Sequence, residues 1–364
     1  MMRTLLFKYI LLFLLASPGL LMANNGNLKG KYTKEKTIKK DFNVNSDALL
    51  KVSNSYGNLN ITSWSENRVV IEVHIQTNGN NEEKVQQKLD EITVDFDANS
   101  SMVSARTIFN KNKSSWGWNW GKNNNVNMQI NYTIKMPVKN SVHLSNDYGN
   151  INLDRVDGHA KISCDYGRLE LGELHGRNNE LKFDYTSRSS IGYINSGRIS
   201  ADYSGFEIEK AGNLVISADY TNSFIREMEN LEYSCDYGNL EVDDANNIHG
   251  NGDYINVKLG TIHGDVDINA DYGSVKIDRM AADGGNVNIR TDYTGIKMGY
   301  DAQYHFDFEI TTDYAGVSGK DDFEMSISKE KSNERYYKGY YGSAGSGKQV
   351  HITSDYGSIS FIKN

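Results

Sequence analysis

The dipeptide Asp-Tyr recurs about every eighteen residues from Asp147 onward, and this repeat limits the possible folds more than any other feature. The steps between successive tyrosines are 18, 19, 18, 17, 17, 17, 18, 21, 21 and 42 residues, and the last is twice the step before it. A fixed period of this length is typical of stacked repeats, in which each unit contacts only its neighbours. The repeat tyrosines are Tyr148, Tyr166, Tyr185, Tyr203, Tyr220, Tyr237, Tyr254, Tyr272, Tyr293, Tyr314 and Tyr356, with an isolated early copy at Tyr56.

Each repeat has the same pattern around its tyrosine. An apolar residue such as Ile162 lies four positions before it, and mostly a small residue such as Cys164 lies two positions before it. Further apolar residues, such as Leu169 and Leu171, follow three and five positions after it. Side chains of a strand alternate between faces, so the pattern predicts two strands per repeat with a bend between them. We expect the glycine that usually follows the tyrosine to form this bend, because glycine tolerates a positive φ. We predict an all-β fold, a single-stranded, right-handed parallel β-helix (β-solenoid) of about twelve short coils.

The same alternation predicts the direction of the tyrosine rings. Counting in steps of two from the apolar residue places the ring on the inner face of its strand. Rings of successive coils would then stack about 4.8 Å apart as a structural ladder inside the solenoid. An outward ladder on a flat face is the alternative.

An aspartate precedes the tyrosine in all eleven copies from Asp147 to Asp355. In-register stacking would bring these like charges about 5 Å apart, so some interaction must offset their repulsion. One interpretation is an Asx-type turn, in which each carboxylate accepts backbone N–H groups at the glycine bend. The other is a row of Ca²⁺ ligands. We favour the turn, since the repeat lacks the glycine-rich calcium signature of other β-helices, and we predict no metal or cofactor. The calcium alternative would use Asp165, Asp184, Asp202, Asp219 and Asp236.

Residues 1–23 have the pattern of a secretory signal peptide. Arg3 and Lys8 precede an apolar run from Ile10 to Met22, and Ala23 follows as a small residue before the cleavage point. The run is too short and too broken for a stable membrane span. We therefore expect an exported protein, in the periplasm or at the cell surface, with no transmembrane segment in the mature chain.

The remaining chain divides into three parts. The polar, basic residues 24–40 predict a flexible leader. Residues 41–140 predict a β-rich capping region, in which Val85, Leu89 and Ile92 share one helical face. That spacing, with Asn80 as cap, predicts a helix near 81–92 within a β-α-β insertion. Residues 141–364 carry the solenoid repeats, with an irregular insertion at 321–348.

Three tryptophans, Trp116, Trp118 and Trp120, alternate with glycine and asparagine in the loop at 110–127. Rings in this arrangement could bind a sugar or a partner surface. They could also cap the open end of the solenoid, where unpaired strands would otherwise aggregate. These residues are the candidate binding site that we predict.

Composition excludes several functions. The net charge is −8 with no basic stripe, so we expect no nucleic-acid partner. The two cysteines, Cys164 and Cys235, lie four coils apart, too far for a disulfide. Carboxylates recur in every repeat instead of clustering in a cleft, which argues against an enzyme, and we predict no catalytic residue.

Three segments resemble an exported bacterial family known as putative adhesins, a domain of unknown function that is common in Bacteroidetes. They are SNSYGNLNITSW (53–64), YTIKMPVKNSVHLSNDYGNINL (132–153) and GSGKQVHITSDYGSISF (345–361). The resemblance implies a β-helical fold and brings no catalytic residues. The tryptophan loop and the insertion at 321–348 depart from the family pattern.

Together these observations predict a non-enzymatic, exported β-solenoid that acts as an adhesin-like interaction scaffold at the cell envelope. Its partner would be an unknown protein or glycan at the cell surface. A carbohydrate-active β-helix enzyme and a periplasmic partner in envelope stress signalling are the alternatives.

Overall fold

The computed structural model describes residues 30–109 and 126–364, which are all-β apart from one helix, as predicted. The helix, α1, spans Glu82–Glu91. The N-terminal strands are β1 (Tyr32–Asn43), β2 (Leu49–Ser55), β3 (Leu59–Trp64), β4 (Arg68–Gly79), β5 (Ile92–Asn99), β6 (Met102–Phe109) and β7 (Asn127–Pro137).

The repeats form the remaining strands, and all strands belong to one mixed sheet. They are β8 (Ser141–Asp147), β9 (Ile151–Val156), β10 (Ala160–Asp165), β11 (Leu169–Leu174), β12 (Asn179–Asp184), β13 (Ser189–Asp202), β14 (Gly205–Asp219), β15 (Asn222–Ser234), β16 (Gly238–Asp253), β17 (Ile255–Ile262), β18 (Val266–Asp271), β19 (Ser274–Met280), β20 (Val287–Asp292), β21 (Gly295–Tyr300), β22 (Phe306–Asp313), β23 (Val317–Ser318), β24 (Glu324–Lys331), β25 (Glu334–Tyr341), β26 (Gln349–Asp355) and β27 (Ile359–Lys363).

Strands of successive repeats pair in parallel and form two rows. The first row contains the segments that lead into each tyrosine, in the order β2, β8, β10, β12, β13, β14, β15, β16, β18, β20, β26, β22. The second row contains the segments that follow each tyrosine, in the order β3, β9, β11, β13, β14, β15, β16, β17, β19, β21, β27, β23. The long strands β13 to β16 belong to both rows, because each runs on from the second row into the first.

The pairing is in register on the repeat. Ile162 faces Leu144 on one side and Leu181 on the other, and Asp165 faces Asp147 and Asp184 in the same way. Each position therefore forms a column of equivalent side chains along the stack.

The core lies between the two rows and consists of the inward columns of both. Ile162 and Leu169 are buried, as their positions in the repeat predict. Tyr233 replaces the usual aliphatic residue of its column and is also buried. Its neighbour in the next repeat is Gly250, where a Cβ would lie 2.3 Å from the Tyr233 ring. The glycine thus provides the space that the larger ring occupies.

Antiparallel strands and the helix close the N-terminal end. β4 pairs antiparallel with β7, and β5 pairs antiparallel with β6. Val85 and Leu89 of α1 are buried on this end of the core. The helix cap is Asn81, whose side chain accepts a hydrogen bond from the Lys84 backbone N–H, so the prediction of Asn80 was wrong by one residue.

The prediction of a flexible leader at 24–40 was wrong from residue 32 onward. Tyr32–Asn43 forms β1, which pairs antiparallel with the full length of β4. Polar residues in this strand alternate between half-buried and exposed positions, because one face of an edge strand can remain in water. The predicted signal peptide lies outside the described residues.

The C-terminal end departs from sequence order. β26 lies between β20 and β22 and pairs in parallel with both, so the repeat of Tyr356 is inserted between those of Tyr293 and Tyr314. Within the predicted insertion at 321–348, β24 and β25 form an antiparallel hairpin that extends the first row beyond β22. A buried aromatic cluster closes the core here, formed by Tyr300, Tyr304, Phe306, Phe308, Phe323, Tyr341 and Phe361.

In the part of the chain that the structure describes, no helix has the length and apolarity needed to cross a membrane.

The turn after each tyrosine differs from the prediction. We expected the glycine to adopt a positive φ, but the tyrosine adopts it instead, with φ of 55° at Tyr272, while Gly273 does not. The glycine has another role, because a Cβ at Gly273 would lie 1.9 Å from the Ile255 carbonyl oxygen of the preceding repeat. Close backbone approach, rather than backbone handedness, requires glycine here.

Gly273→Ala should destabilise the protein by roughly 1–3 kcal/mol, since the new methyl group would force two backbones apart. Gly295 is the matched control in the next repeat, because a Cβ there meets nothing within 4 Å. Urea denaturation followed by circular dichroism would measure both changes. Equal midpoints for the two variants would contradict the close-approach explanation.

Candidate interaction surface

The most unusual backbone in the structure belongs to the repeat tyrosines. All twelve, from Tyr56 to Tyr356, adopt left-handed conformations with φ between 49° and 63°. This region costs an ordinary L-residue roughly 1–2 kcal/mol, and glycine or asparagine would occupy it more easily. A bulky aromatic residue in this conformation is therefore strained, and interactions of its side chain must offset the free-energy cost.

The tyrosine rings lie on the surface, so the prediction that they point inward was wrong. The twelve residues are between 41% and 56% exposed. Side chains alternate between faces only while the backbone remains extended, and the left-handed residue ends that alternation. Counting in steps of two from the apolar residue to the tyrosine therefore assigns the ring to the wrong face.

The rings stack in one continuous line, which we call the tyrosine stripe. Neighbouring centroids are 4.7–5.2 Å apart and the planes differ by only 1–8°. Parallel rings at this separation touch only when each is offset from the next, which leaves part of every face uncovered. The stripe is on the order of 50 Å long. Its spatial order is Tyr56, Tyr148, Tyr166, Tyr185, Tyr203, Tyr220, Tyr237, Tyr254, Tyr272, Tyr293, Tyr356 and Tyr314.

The eleven aspartates that precede the tyrosines form a parallel line, which we call the aspartate row. Their carboxylates bridge repeats: the Asp219 backbone N–H donates to Asp202 Oδ1 at 3.2 Å, and the Asp253 N–H donates to Asp236 Oδ1 at 2.8 Å. The Asx-turn interpretation was therefore wrong about the donor, which is the aspartate N–H of the next repeat in five cases, not the glycine bend. The row is Asp147, Asp165, Asp184, Asp202, Asp219, Asp236, Asp253, Asp271, Asp292, Asp355 and Asp313.

Neighbouring carboxylates repel one another within the aspartate row. Partial burial, together with the charges of Asp271 and Asp236, raises the pKa of Asp253. The same two causes, with Asp292 and Asp313 as neighbours, raise the pKa of Asp355. Among residues 30–109 and 126–364, no ion pair joins a lysine, arginine or histidine to a carboxylate of the row. Among the described residues, the row is thus a line of negative charge without counter-ions.

The tyrosine hydroxyls add no charge to this surface at neutral pH. Partial burial is the main cause that raises the pKa of Tyr237, Tyr272 and Tyr356 above the ordinary value of 10.0, and the neighbouring tyrosines and aspartates raise it further. The surface therefore combines neutral, hydrogen-bonding phenols with the anionic row beside them.

The residues of the calcium alternative, Asp165, Asp184, Asp202, Asp219 and Asp236, lie in one line with a single carboxylate per repeat. Within the described ranges, no group of three or more His, Cys, Asp or Glu residues is placed to hold a metal ion.

A second surface feature is a broad groove over the outer face of the first row. Most of its charged residues occupy one column, where Glu180 pairs with Arg198 in register and Glu232 lies two repeats further on. Glu180 forms an ion pair with Lys161 at 2.5 Å, and His249 lies 3.3 Å from Asp267. Acid and base groups of a hydrolase face each other across a substrate, whereas these side chains follow one another along a line.

The predicted binding residues Trp116, Trp118 and Trp120 lie outside the described residues, and their role stays a prediction. The described chain reaches Phe109 just before that segment. The Phe109 ring packs edge-on against Tyr56 at 6.1 Å, at the first ring of the stripe.

The cysteines are both free and buried. Burial raises the pKa of the Cys164 and Cys235 thiols to about 12. Neither thiol is therefore an effective nucleophile at neutral pH.

No protein-family model and no curated protein match the chain. Similar solved structures include a putative cell adhesion protein from Clostridium sporogenes, at 12% identity and a TM-score of 0.19, covering 91% of this chain and 100% of that one. A putative adhesin from Parabacteroides distasonis has 10% identity, a TM-score of 0.32 and coverages of 90% and 97%. A putative adhesin from Parabacteroides merdae has 9% identity, the same TM-score of 0.32 and coverages of 90% and 96%. These names agree with the resemblance drawn from the sequence.

Tyr220→Ala should be more destabilising than Tyr220→Gly, although in regular secondary structure alanine normally destabilises a protein less than glycine does. Both changes remove the stacked ring, but only alanine retains the strain of the left-handed backbone, worth about 1 kcal/mol. Urea denaturation of both variants measures the difference. Ser217→Ala and Ser217→Gly are the control pair, because Ser217 is an extended first-row position. There the glycine variant should be the less stable of the two. The same order at residue 220 would contradict this account.

Asp253→Asn should raise the melting temperature at neutral pH and lose that advantage in acid. The pKa of Asp253 is raised above 3.8 in the fold, so protonation stabilises the folded protein. That contribution is present below the raised pKa and is lost as the pH rises through it. Melting curves of both proteins from about pH 7 to about pH 4 should therefore converge.

The control is Asp278→Asn, because Asp278 forms an ion pair with Lys276 at 2.6 Å. This control variant should show no gain at neutral pH. A gain for Asp253→Asn that did not change with pH would refute the repulsion account.

Proposed function

We propose that this protein is a non-enzymatic, exported interaction scaffold at the cell envelope, adhesin-like in its role, with the tyrosine stripe as its binding surface. The observation that carries the proposal is the stripe itself: twelve stacked tyrosine rings, each about half exposed, in one uninterrupted line.

The backbone strain supports a role for the side chain. A left-handed turn residue is needed once per repeat, and glycine or asparagine would supply it without strain. Stacking offsets part of the cost, at about 0.5–1.5 kcal/mol per aromatic pair. Rings inside the core, however, could stack equally well and would also be stabilised by the hydrophobic effect, so stacking does not explain the outward position. The outward position leaves large aromatic surface in water, which is the composition that protein interfaces favour.

The length of the stripe supports attachment to a large partner. Equivalent sites recur at every repeat, so a polymer or a surface can engage many at once, and weak single contacts then add to a firm attachment. An enzyme pocket would instead concentrate its groups at one level of the stack.

The two parallel rows are taken as turns of a right-handed, single-stranded parallel β-helix, which presents the stripe along its full length. The predicted signal peptide would export the chain to the periplasm or the cell surface.

Bead adhesion tests this function. Fluorescent beads coated with the protein would be applied to epithelial monolayers, immobilised mucin and bacterial envelope fragments, and the retained beads counted after shear. In the test variant Tyr203, Tyr220, Tyr237 and Tyr254 become asparagine, which tolerates the left-handed backbone. We expect the wild type to adhere to at least one surface and the variant to lose most of that adhesion.

The control changes one column of the second row in the same repeats to serine, at Glu207, Phe224, Glu241 and Lys258. It should adhere like the wild type. Absence of adhesion by the wild type, or equal loss in both variants, would contradict the proposed function. Melting curves of both variants would show whether each remains folded.

A further inference from the structure

We propose that the tyrosine stripe and the aspartate row together bind an extended cationic polypeptide, rich in arginine or lysine, that lies along the stack. This inference rests on the proposed function and narrows it to one class of partner.

The aspartate row carries more negative charge than the chain as a whole. The chain has a net charge of −8, and the row alone holds eleven carboxylates, so the remainder of the chain carries a net charge of +3. The row thus accounts for the net negative charge of the molecule. Many other exposed carboxylates form ion pairs, as Glu227 does with Lys210 at 3.1 Å and Glu209 does with Arg226 at 2.8 Å. The row has no such cation among the described residues, and a cationic partner would supply it.

The column beside the row leaves access to it. Three residues before each tyrosine, the outward side chain is small in most repeats, as at Ser200, Ser217 and Ser234, which are neighbours in register. Lys182 and Arg290 are the exceptions in this column, and neither forms an ion pair with the row in the described structure. A partner side chain can therefore approach the carboxylates from this side or from above the rings.

The tyrosine rings suit the same partner. Cations bind the faces of aromatic rings within about 6 Å, and the offset stacking leaves part of each face open. Eleven of the twelve rings are directly preceded in the chain by an aspartate, and Tyr56 is preceded by Ser55. A guanidinium group over the stripe can thus contact a ring face and donate hydrogen bonds to a carboxylate at the same time.

The spacing predicts how sequence-specific this binding is. The rings repeat every 4.7–5.2 Å, whereas side chains on one side of an extended peptide repeat about every 6.7 Å. A one-to-one register is therefore impossible over more than a few residues. Binding should depend on the density and number of cations more than on their order, and it should weaken as salt screens the charges.

An anionic polymer would be repelled by the row, and a neutral glycan would use the rings without needing the carboxylates. These two partners therefore serve as outcomes that would overturn the proposal.

The test is fluorescence anisotropy with the full mature chain and labelled ten-residue peptides of arginine, glutamate or alternating glycine and serine. The arginine peptide should bind at least tenfold more tightly than either of the others at about 50 mM salt, and its affinity should fall severalfold at about 300 mM. Equal binding of the neutral peptide, or affinity independent of salt, would overturn the proposal. These wild-type measurements need no substitution.

The test variant changes Asp202, Asp219, Asp236 and Asp253 to asparagine. At the first three of these positions asparagine keeps the side-chain oxygen that accepts the backbone N–H of the next repeat. We expect about a tenfold loss of affinity for the arginine peptide with an unchanged or higher melting temperature. Loss of repulsion favours the fold while loss of charge weakens binding, so the two effects have opposite signs. Unfolding therefore cannot imitate the expected result.

The matched control changes four second-row carboxylates to glutamine, at Glu207, Glu209, Glu227 and Glu241, and so removes the same total charge. It should lose less than about twofold in affinity. Equal losses in both variants would show attraction by net charge alone and would overturn the proposal. If coated beads still adhere through the tyrosines but the arginine peptide does not bind, only the class of partner is wrong. If both fail, the proposed function is wrong as well.

Discussion

In-register parallel stacking is the constraint on which the rest of this structure depends, because it makes every residue the neighbour of its own equivalent. Apolar, aromatic and amide side chains interact favourably with identical neighbours in such a column, whereas like charges repel one another. Aliphatic residues fill the core, tyrosines stack outside, and asparagines link side chain to side chain, as Asn230 donates to Asn213 Oδ1 at 2.5 Å and Asn247 donates to Asn230 Oδ1 at 2.7 Å. The aspartate row is the exception, and this is why it is the most informative column in the molecule.

Much of the repeat could be predicted because side-chain alternation is local and simple. Ile162 and Leu169 lie in the core as their distances from Tyr166 indicate, and the single helix contains Val85 and Leu89 on its buried face. The tyrosine direction could not be predicted in this way, since it depends on one backbone angle that no hydrophobic pattern encodes. A clue existed in the sequence: threonine or serine follows Tyr185, Tyr203 and Tyr220. Glycine is therefore not needed for the handedness of the turn.

The candidate surface was only partly accessible to sequence reasoning. The aspartates and tyrosines were evident as repeats, and repetition was interpreted as purely structural. What the sequence could not show is that the row lacks counter-ions within residues 30–109 and 126–364, because that depends on which columns lie beside it. Arg168, for example, is only three residues from Asp165 but pairs with Glu170.

The insertion of β26 between β20 and β22 has a consequence for the order in which the protein is made. A chain that leaves the ribosome from its N-terminus can add repeats one by one as far as β21, each on a completed predecessor. β22 then has no partner on that side until β26 has been synthesised, 42 residues after its own position. Growth of the stack must therefore pause at this point with a sheet edge open, until β26 pairs with both β20 and β22 and joins the terminal repeats to the stack.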